Sequence, residues 1–249
     1  MVHRDEISRY LSAFLEVDRF SDYGPNGLQV EGRPGISKIV TGVTASLAFI
    51  EAAGAAQADA VLVHHGLFWR GQDGRITGWM KQRVAALLSR DLNLFAYHLP
   101  LDAQAEVGNN AQLAARLGFT PQARFGERDL GVIGRPSQDS SLAELAGWVQ
   151  SRLGRTPTVV RGDGRPIRRV AWCTGGAQGY FEAAIAAGAD AYLTGEISEP
   201  QAHIARETGV AFLACGHHAT ERYGAPALGE HLARQFGLQH EFIDIDNPA

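Results

Sequence analysis

Residues 49–66 read FIEAAGAAQADAVLVHHG, and residues 180–196 read YFEAAIAAGADAYLTGE. Glu51 and Asp59 of the first stretch align with Glu182 and Asp190 of the second at a constant offset of 131. Each stretch follows an apolar run, KIVTGVTAS or RRVAWCTGG, so each copy reads as strand, Ala-rich helix, strand. A second self-match lies further on: LNLFAYHLPLD aligns with AFLACGHHATE, setting His98 on His217 and Asp102 on Glu221 at an offset of 119. Leu117-Gly118-Phe119 and Phe236-Gly237-Leu238 share that offset, which points to an internal duplication. Strands that are apolar throughout and alternate with helices imply sheets covered on both faces. The expected fold is therefore α/β, in two related lobes whose largely parallel or mixed sheets are flanked by helices.

The lobe boundary is expected near residues 123–128, giving a first lobe of 1–124 and a second of 125–224, with 225–249 packing back on the first. Between the repeats, Ser141-Leu142-Ala143-Glu144 is a capping-box signature that opens the helix LAELAGWVQSRLG, and PTVVRG reads as a strand after it. At the start of the chain, Ile7, Tyr10, Leu11, Phe14 and Leu15 fall at helical spacing, an amphipathic helix rather than a signal peptide.

At 249 residues the chain can bury a large core without external staples. With 23 Lys+Arg against 27 Asp+Glu, the net charge of −4 argues against a nucleic-acid-binding surface; the basic run from Arg161 to Arg169 reads as a solvated turn before a strand. Only Cys173 and Cys215 are present, both in apolar runs, where they read as small core residues. No run approaches the roughly 18–20 apolar residues that cross a bilayer. A cytoplasmic protein is expected.

Chemistry concentrates at three strand ends: AVLV into His64-His65, LFAY into His98-Leu99-Pro100-Leu101-Asp102, and FLAC into Gly216-His217-His218-Ala219-Thr220-Glu221. Ligands collect at such ends in open α/β sheets. A helix from Gly216 would put His217 and Glu221 on one face at i and i+4. Pro100 forbids a regular helix through His98 to Asp102, so a turn must bring those two side chains together, and they need not both be ligands. First-choice metal ligands are His64, His65, Asp102, His217 and Glu221. This nitrogen and oxygen set suits Zn, Mn, Fe, Co or Ni. Five ligands exceed the need of one catalytic ion, which keeps a position open, and suit two neighbouring ions. His3, His203, His231 and His240 carry no partner motif and are expected at the surface. Cys173-Thr174-Gly175-Gly176-Ala177-Gln178-Gly179 reads as a tight turn before it reads as a phosphate loop. Glu196 stands in the second copy where the first has the paired histidines, as an acid/base group or an ion-paired bystander. Asp22-Tyr23-Gly24-Pro25-Asn26-Gly27 reads as a turn.

Taken together, SDYGPNGLQVEG, VLVHHGLFW, YHLPLDAQAEVGNNAQLA, TGEISE and GHHATERYG resemble the Nif-three-like family of dinuclear-metal proteins, whose members carry the label "GTP cyclohydrolase I type 2 homologue". The resemblance runs from about Ser21 to Asp246 and is to the short bacterial form. It implies a metal site between the lobes, with one ion on His64 and Asp102, the other on His65 and His217, and Glu221 bridging. It further implies a homohexameric ring with the metals facing an internal cavity. The label implies opening of the GTP imidazole ring with release of formate. In such a hydrolase His98, beside Asp102, would move the proton, with Glu196 as the second candidate for that role. A reading from another class stands beside this one: a non-catalytic, metal-stabilised ring serving as a regulatory or interaction scaffold for protein or nucleic acid.

Overall fold

The computed structural model describes residues 1–249 and divides into two compact units, 1–108 with 224–246, and 109–223 with 247–249. The first segment contributes β1 (Val2–His3), α1 (Arg4–Phe14), β2 (Gly27–Val30), β3 (Gly35–Ile36), β4 (Lys38–Thr44), α2 (Leu47–Ala55), β5 (Ala60–His65), α3 (Gly78–Leu88), β6 (Asn93–Ala96) and α4 (Leu99–Ala103). The second unit follows with α5 (Asn109–Leu117), β7 (Thr120–Phe125), β8 (Gly131–Arg135), α6 (Leu142–Leu153), β9 (Thr158–Val160), β10 (Val170–Trp172), α7 (Phe181–Ala186), β11 (Ala191–Thr194), α8 (Glu199–Thr208), β12 (Ala211–Ala214) and α9 (His217–Glu221). The chain then returns to the first unit with α10 (Gly224–Phe236) and β13 (Gln239–Phe242).

The first sheet has the order β13-β4-β5-β6-β2. Its first four strands run parallel, and β2 closes the edge antiparallel to β6. Alternation along β5 explains why the strand is apolar throughout. Val61 and Val63 pack with Phe49 and Ile50 of α2 and Leu87 of α3, while Ala60 and Leu62 pack with Ile7 and Leu11 of α1 and Leu228 and Leu232 of α10. Helix α2 is started by Ser46, whose side chain accepts the Phe49 N–H at 3.2 Å. Ser46→Ala should lower stability by about 1 kcal/mol, read as a small drop in Tm with an unchanged circular dichroism spectrum.

The second sheet has the order β7-β8-β10-β11-β12-β9, with β10, β11 and β12 parallel and the outer strands antiparallel. One face carries Trp172, Leu193, Leu213 and Cys215 against α5 and α6. Elsewhere in the unit the rings of Phe181, Tyr192 and Phe212 pack together. The expected capping box is present: Ser141 accepts the Glu144 N–H and Glu144 accepts the Ser141 N–H. Residues 109–124, placed in the first lobe by sequence, sit in the second unit. Leu113, Ala114 and Leu117 of α5 pack with Leu145 and Val149 of α6, and β7 pairs with β8. Cys173 and Cys215 are buried thiols, and no helix is long and apolar enough to cross a membrane.

Each unit contains a βαβ segment with the same closing turn. Gln57 and Gly188, 131 residues apart, both take positive φ after the helix. Asp59 accepts the Ser37 and Lys38 N–H groups at 2.8 and 3.0 Å, and Asp190 accepts those of Arg168 and Arg169 at 3.0 and 2.9 Å. A carboxylate at the start of the second strand thus ties down the entry of the first, in both units.

Candidate metal centre

In the first unit, β5 and β6 run side by side and end at the same level, so His64, His65 and His98 emerge together. The His64 and His65 ring centroids are 4.5 Å apart, and His98 lies 5.0 Å from His64 and 5.8 Å from His65. One nitrogen from each of the three falls within 4.8 Å of the others, a grouping that could hold a metal ion. His64 is fully buried, and its Nδ1 donates to the Tyr97 carbonyl at 3.0 Å, which places the lone pair on Nε2. That Nε2 is 3.5 Å from Asp102 Oδ1. His65 Nδ1 is bonded to Thr44 Oγ1 at 3.1 Å. The adjacent histidines point to different sides of the strand at their Cβ atoms, yet converge because the strand ends there.

Asp102 arrives on a short helix, contrary to the expectation that Pro100 forbids one. Pro100 occupies the first turn of α4, where a missing N–H costs no helical hydrogen bond. The His98 carbonyl accepts from Leu101 and Asp102, so His98 and Asp102 stand one turn apart.

Sequence reading missed Asp22. Its side chain is 2 % exposed, and it gathers four donors: the Tyr23 N–H at 2.6 Å, Asn26 Nδ2 at 2.9 Å, the Leu99 N–H at 2.9 Å and His98 Nδ1 at 2.7 Å. Asn26 Oδ1 in turn accepts the His98 N–H at 2.7 Å. Burial alone would raise the Asp22 pKa; the hydrogen bonds and charge of His98, with Asn26 and Tyr23, instead hold it at about 2. Because the folded value is depressed, Asp22 stabilises the fold fully above its ordinary pKa of 3.8 and loses that contribution as pH falls toward about 2. Asp22→Asn should therefore cost about 2 kcal/mol at pH 7, with the gap to wild type in urea melts narrowing below pH 4. Trp69 meets His98 edge-on at 5.1 Å. Gly66 allows the close approach of Gln29, whose Oε1 accepts the Leu67 N–H at 2.8 Å; a Cβ at Gly66 would overlap that side chain.

In the second unit, His217 and Glu221 share α9, with His217 Nε2 3.1 Å from Glu221 Oε2. His217 Nδ1 is bonded to Glu196 Oε1 at 2.7 Å, so Glu196 orients an imidazole. Burial opposes charge on His217, but the Glu221 and Glu196 carboxylates outweigh it and raise the pKa to about 9. Beneath Glu221 lies Gly175, with φ +68° and its N–H donated to Thr220 Oγ1 at 3.0 Å. The glycine run is therefore a tight packing turn with that N–H already used. His231 and His240, expected at the surface, are half-buried: His231 is bonded to Tyr10 OH at 2.6 Å and stacked on Phe14, and His240 is bonded to Thr41 Oγ1 at 2.9 Å. His3 accepts the Asp5 N–H at the start of α1, and His203 is exposed beside Glu199.

The fold and these groups define a mixed α/β protein whose strand ends carry histidines and carboxylates able to hold a metal ion. Outer partners on Nδ1 of each imidazole are the arrangement that metal-ligating histidines ordinarily show. The chain belongs to the Duf34/NIF3 (NGG1p interacting factor 3) family, whose model matches residues 2–248. It is 54 % identical, over 100 % of both chains, to a Neisseria meningitidis serogroup A protein named "GTP cyclohydrolase 1 type 2 homolog". Among solved structures it matches protein ybgI, described as of unknown function, with a TM-score of 0.96 at 47 % identity over 100 % of both chains. TTHA1606 from Thermus thermophilus matches with a TM-score of 0.90 at 35 % identity, again over 100 % of both.

Proposed function

We propose that this protein is a dinuclear divalent-metal hydrolase acting on a nucleotide or a related small polar molecule. The observation that carries the reading is the common orientation of His64, His65 and His217, each tied to an oxygen through Nδ1 and therefore offering Nε2. His64, His65, Asp102, His217 and Glu221 would hold the two ions. The donor set contains no thiolate and suits Zn, Mn, Fe, Co or Ni. When bound, such ions supply Lewis-acid activation of water and polarise the atom under attack.

The chain's own residues supply orientation and proton handling. The Tyr97 carbonyl and the Thr44 hydroxyl fix the two strand-end imidazoles. Glu196 fixes His217, which favours an orienting duty for it over acid/base work. His98, with Nδ1 on Asp22, presents Nε2 to accept a proton. Relatives named "GTP cyclohydrolase 1 type 2 homolog" make a purine nucleotide the first substrate to try. The shared turns of the two βαβ segments support an internal duplication, and a homohexamer would show as six times the 26.8 kDa chain in light scattering.

The test is a screen of GTP, other nucleotides and phosphoesters with metal-loaded protein, run beside Asp102→Ala. Turnover lost in the variant supports the reading. Silence across the screen, with Asp102→Ala instead breaking the oligomer, would replace it with the scaffold reading.

A further inference from the structure

We propose that a cavity at the amino ends of β11 and β12, within the second unit, binds a small zwitterion with an apolar side chain, the chemistry of an apolar α-amino acid. The cavity has a volume of about 630 Å³, the size of a small-molecule site. Glu196, His217 and Glu221 follow the carboxyl ends of the same two strands, so the cavity lies apart from those groups. Its wall is built by a close approach of two backbones. The Asp163 N–H donates to the Gly209 carbonyl at 3.0 Å, and a Cβ at Gly162 would overlap that same carbonyl. The turn after β9 is thereby held against the loop that enters β12. Leu142 and Ala146 of α6, with Val159, Ile167 and Ala211, supply the apolar part of the lining.

The charged part of the lining leaves one cation and one carboxylate oxygen unused. Of the four arginines between 161 and 169, Arg165 donates to Asp163 through Nε and Nη2. Arg168 lies 3.4 Å from Asp139, and Arg169 donates to the Ala187 carbonyl at 2.9 Å. Arg161 alone makes no hydrogen bond or ion pair, and it lines the cavity. The basic run is therefore only in part a solvated turn.

The unused oxygen stands out when the two units are compared. Asp59 and Asp190 close their βαβ turns alike, each with Oδ2 accepting two backbone N–H groups. In the first unit the other oxygen, Asp59 Oδ1, accepts Arg33 Nη1 at 2.9 Å. In the second unit Asp190 Oδ1 accepts no hydrogen bond, and Asp190 lines the cavity. Asp163 first, and Asp190 through space, hold the Arg165 pKa above its ordinary value, but the hydrogen bonds of Arg165 go to Asp163. A ligand ammonium at Asp190 would take the place that the Arg33 guanidinium fills at Asp59. A ligand carboxylate would pair with Arg161, whose fork suits two parallel N–H···O bonds. The apolar side chain would then cover Val159, which is 37 % exposed.

The experiment is equilibrium dialysis of labelled leucine, valine and phenylalanine against the full chain. Metal-stripped protein is used, so that chelation by a bound ion cannot imitate the site. At least one of the three should bind once per chain with a Kd below ~1 mM. For leucine as the probe, N-acetylleucine lacks the cation and leucinamide lacks the carboxylate, and each should bind at least ~10-fold more weakly. Arg161→Ala, at an exposed position, should keep the wild-type Tm and weaken amino-acid binding ~10–100-fold. Asp190→Asn keeps an oxygen for the two N–H groups and should weaken binding by a similar factor. The ligand series tests the same contact with the fold unaltered. No binding of any of the three up to ~10 mM, equal binding of N-acetylleucine or leucinamide, or unchanged affinity in Arg161→Ala would each overturn the proposal. Turnover is not read, so the hydrolase reading stands or falls separately by the substrate screen.

Discussion

On the proposed dinuclear reading, His64→Ala and His65→Ala should each reduce the metal content of the purified protein from two ions per chain to one, and the double variant should reduce it to none. Both side chains lie at the end of β5, where strand alternation sends them to opposite sides of the sheet. A pair placed this way serves two neighbouring ions better than one. Their supports differ as well, a backbone carbonyl for His64 and a side-chain hydroxyl for His65. Thr44→Val should therefore weaken only the ion that depends on His65, by roughly 10–100-fold. Metal analysis after exhaustive dialysis decides the matter, and two ions retained in either single variant would sink the dinuclear reading.

Gly175→Ala should be among the most damaging single-methyl changes in the second unit. Positive φ at a non-glycine residue costs on the order of 1–3 kcal/mol, and Gly175 has φ +68°. The added Cβ would also overlap Glu221, whose side chain is only 3 % exposed and cannot swing into water. The expected result is a Tm several degrees lower together with weaker metal binding. A neighbouring control, Gly179→Ala, has open space at its Cβ and should leave both nearly unchanged. Equal effects from the two substitutions would show that Gly175 does not shape the position of Glu221.

Much of the site was legible because it depends on local pattern. Apolar runs that stop at His64, His98 and Gly216 declare strand ends, and the spacing of His217 and Glu221 declares one helical face. What stayed hidden depends on contacts far apart in the chain. Asp22 sits in a Gly-Pro-Asn turn, and only its approach to His98, 76 residues away, reveals a buried carboxylate in place of a solvated one. Asp and Asn at i and i+4 bracketing that turn were the one local sign of a shared duty. Pro100 misled because a proline that ends a helix and one that begins it look alike until the first helical residue is known. The edge strand β7 carries five exposed residues in six, so no apolar alternation marked it as part of the second sheet.

The return of residues 224–246 to the first unit bears on how the protein is made. Strand β13 pairs with β4, and α10 supplies Leu228 and Leu232 to the core beneath β5. On the ribosome, the unit whose synthesis begins first therefore waits for a segment made after nearly all of the second. The second unit, uninterrupted from 109 to 223, can close while the first still waits for its border strand and a covering helix. Until then one edge of β4 is unpaired and one face of the first sheet has α1 without α10, which makes the final stretch of translation an interval of exposure to aggregation.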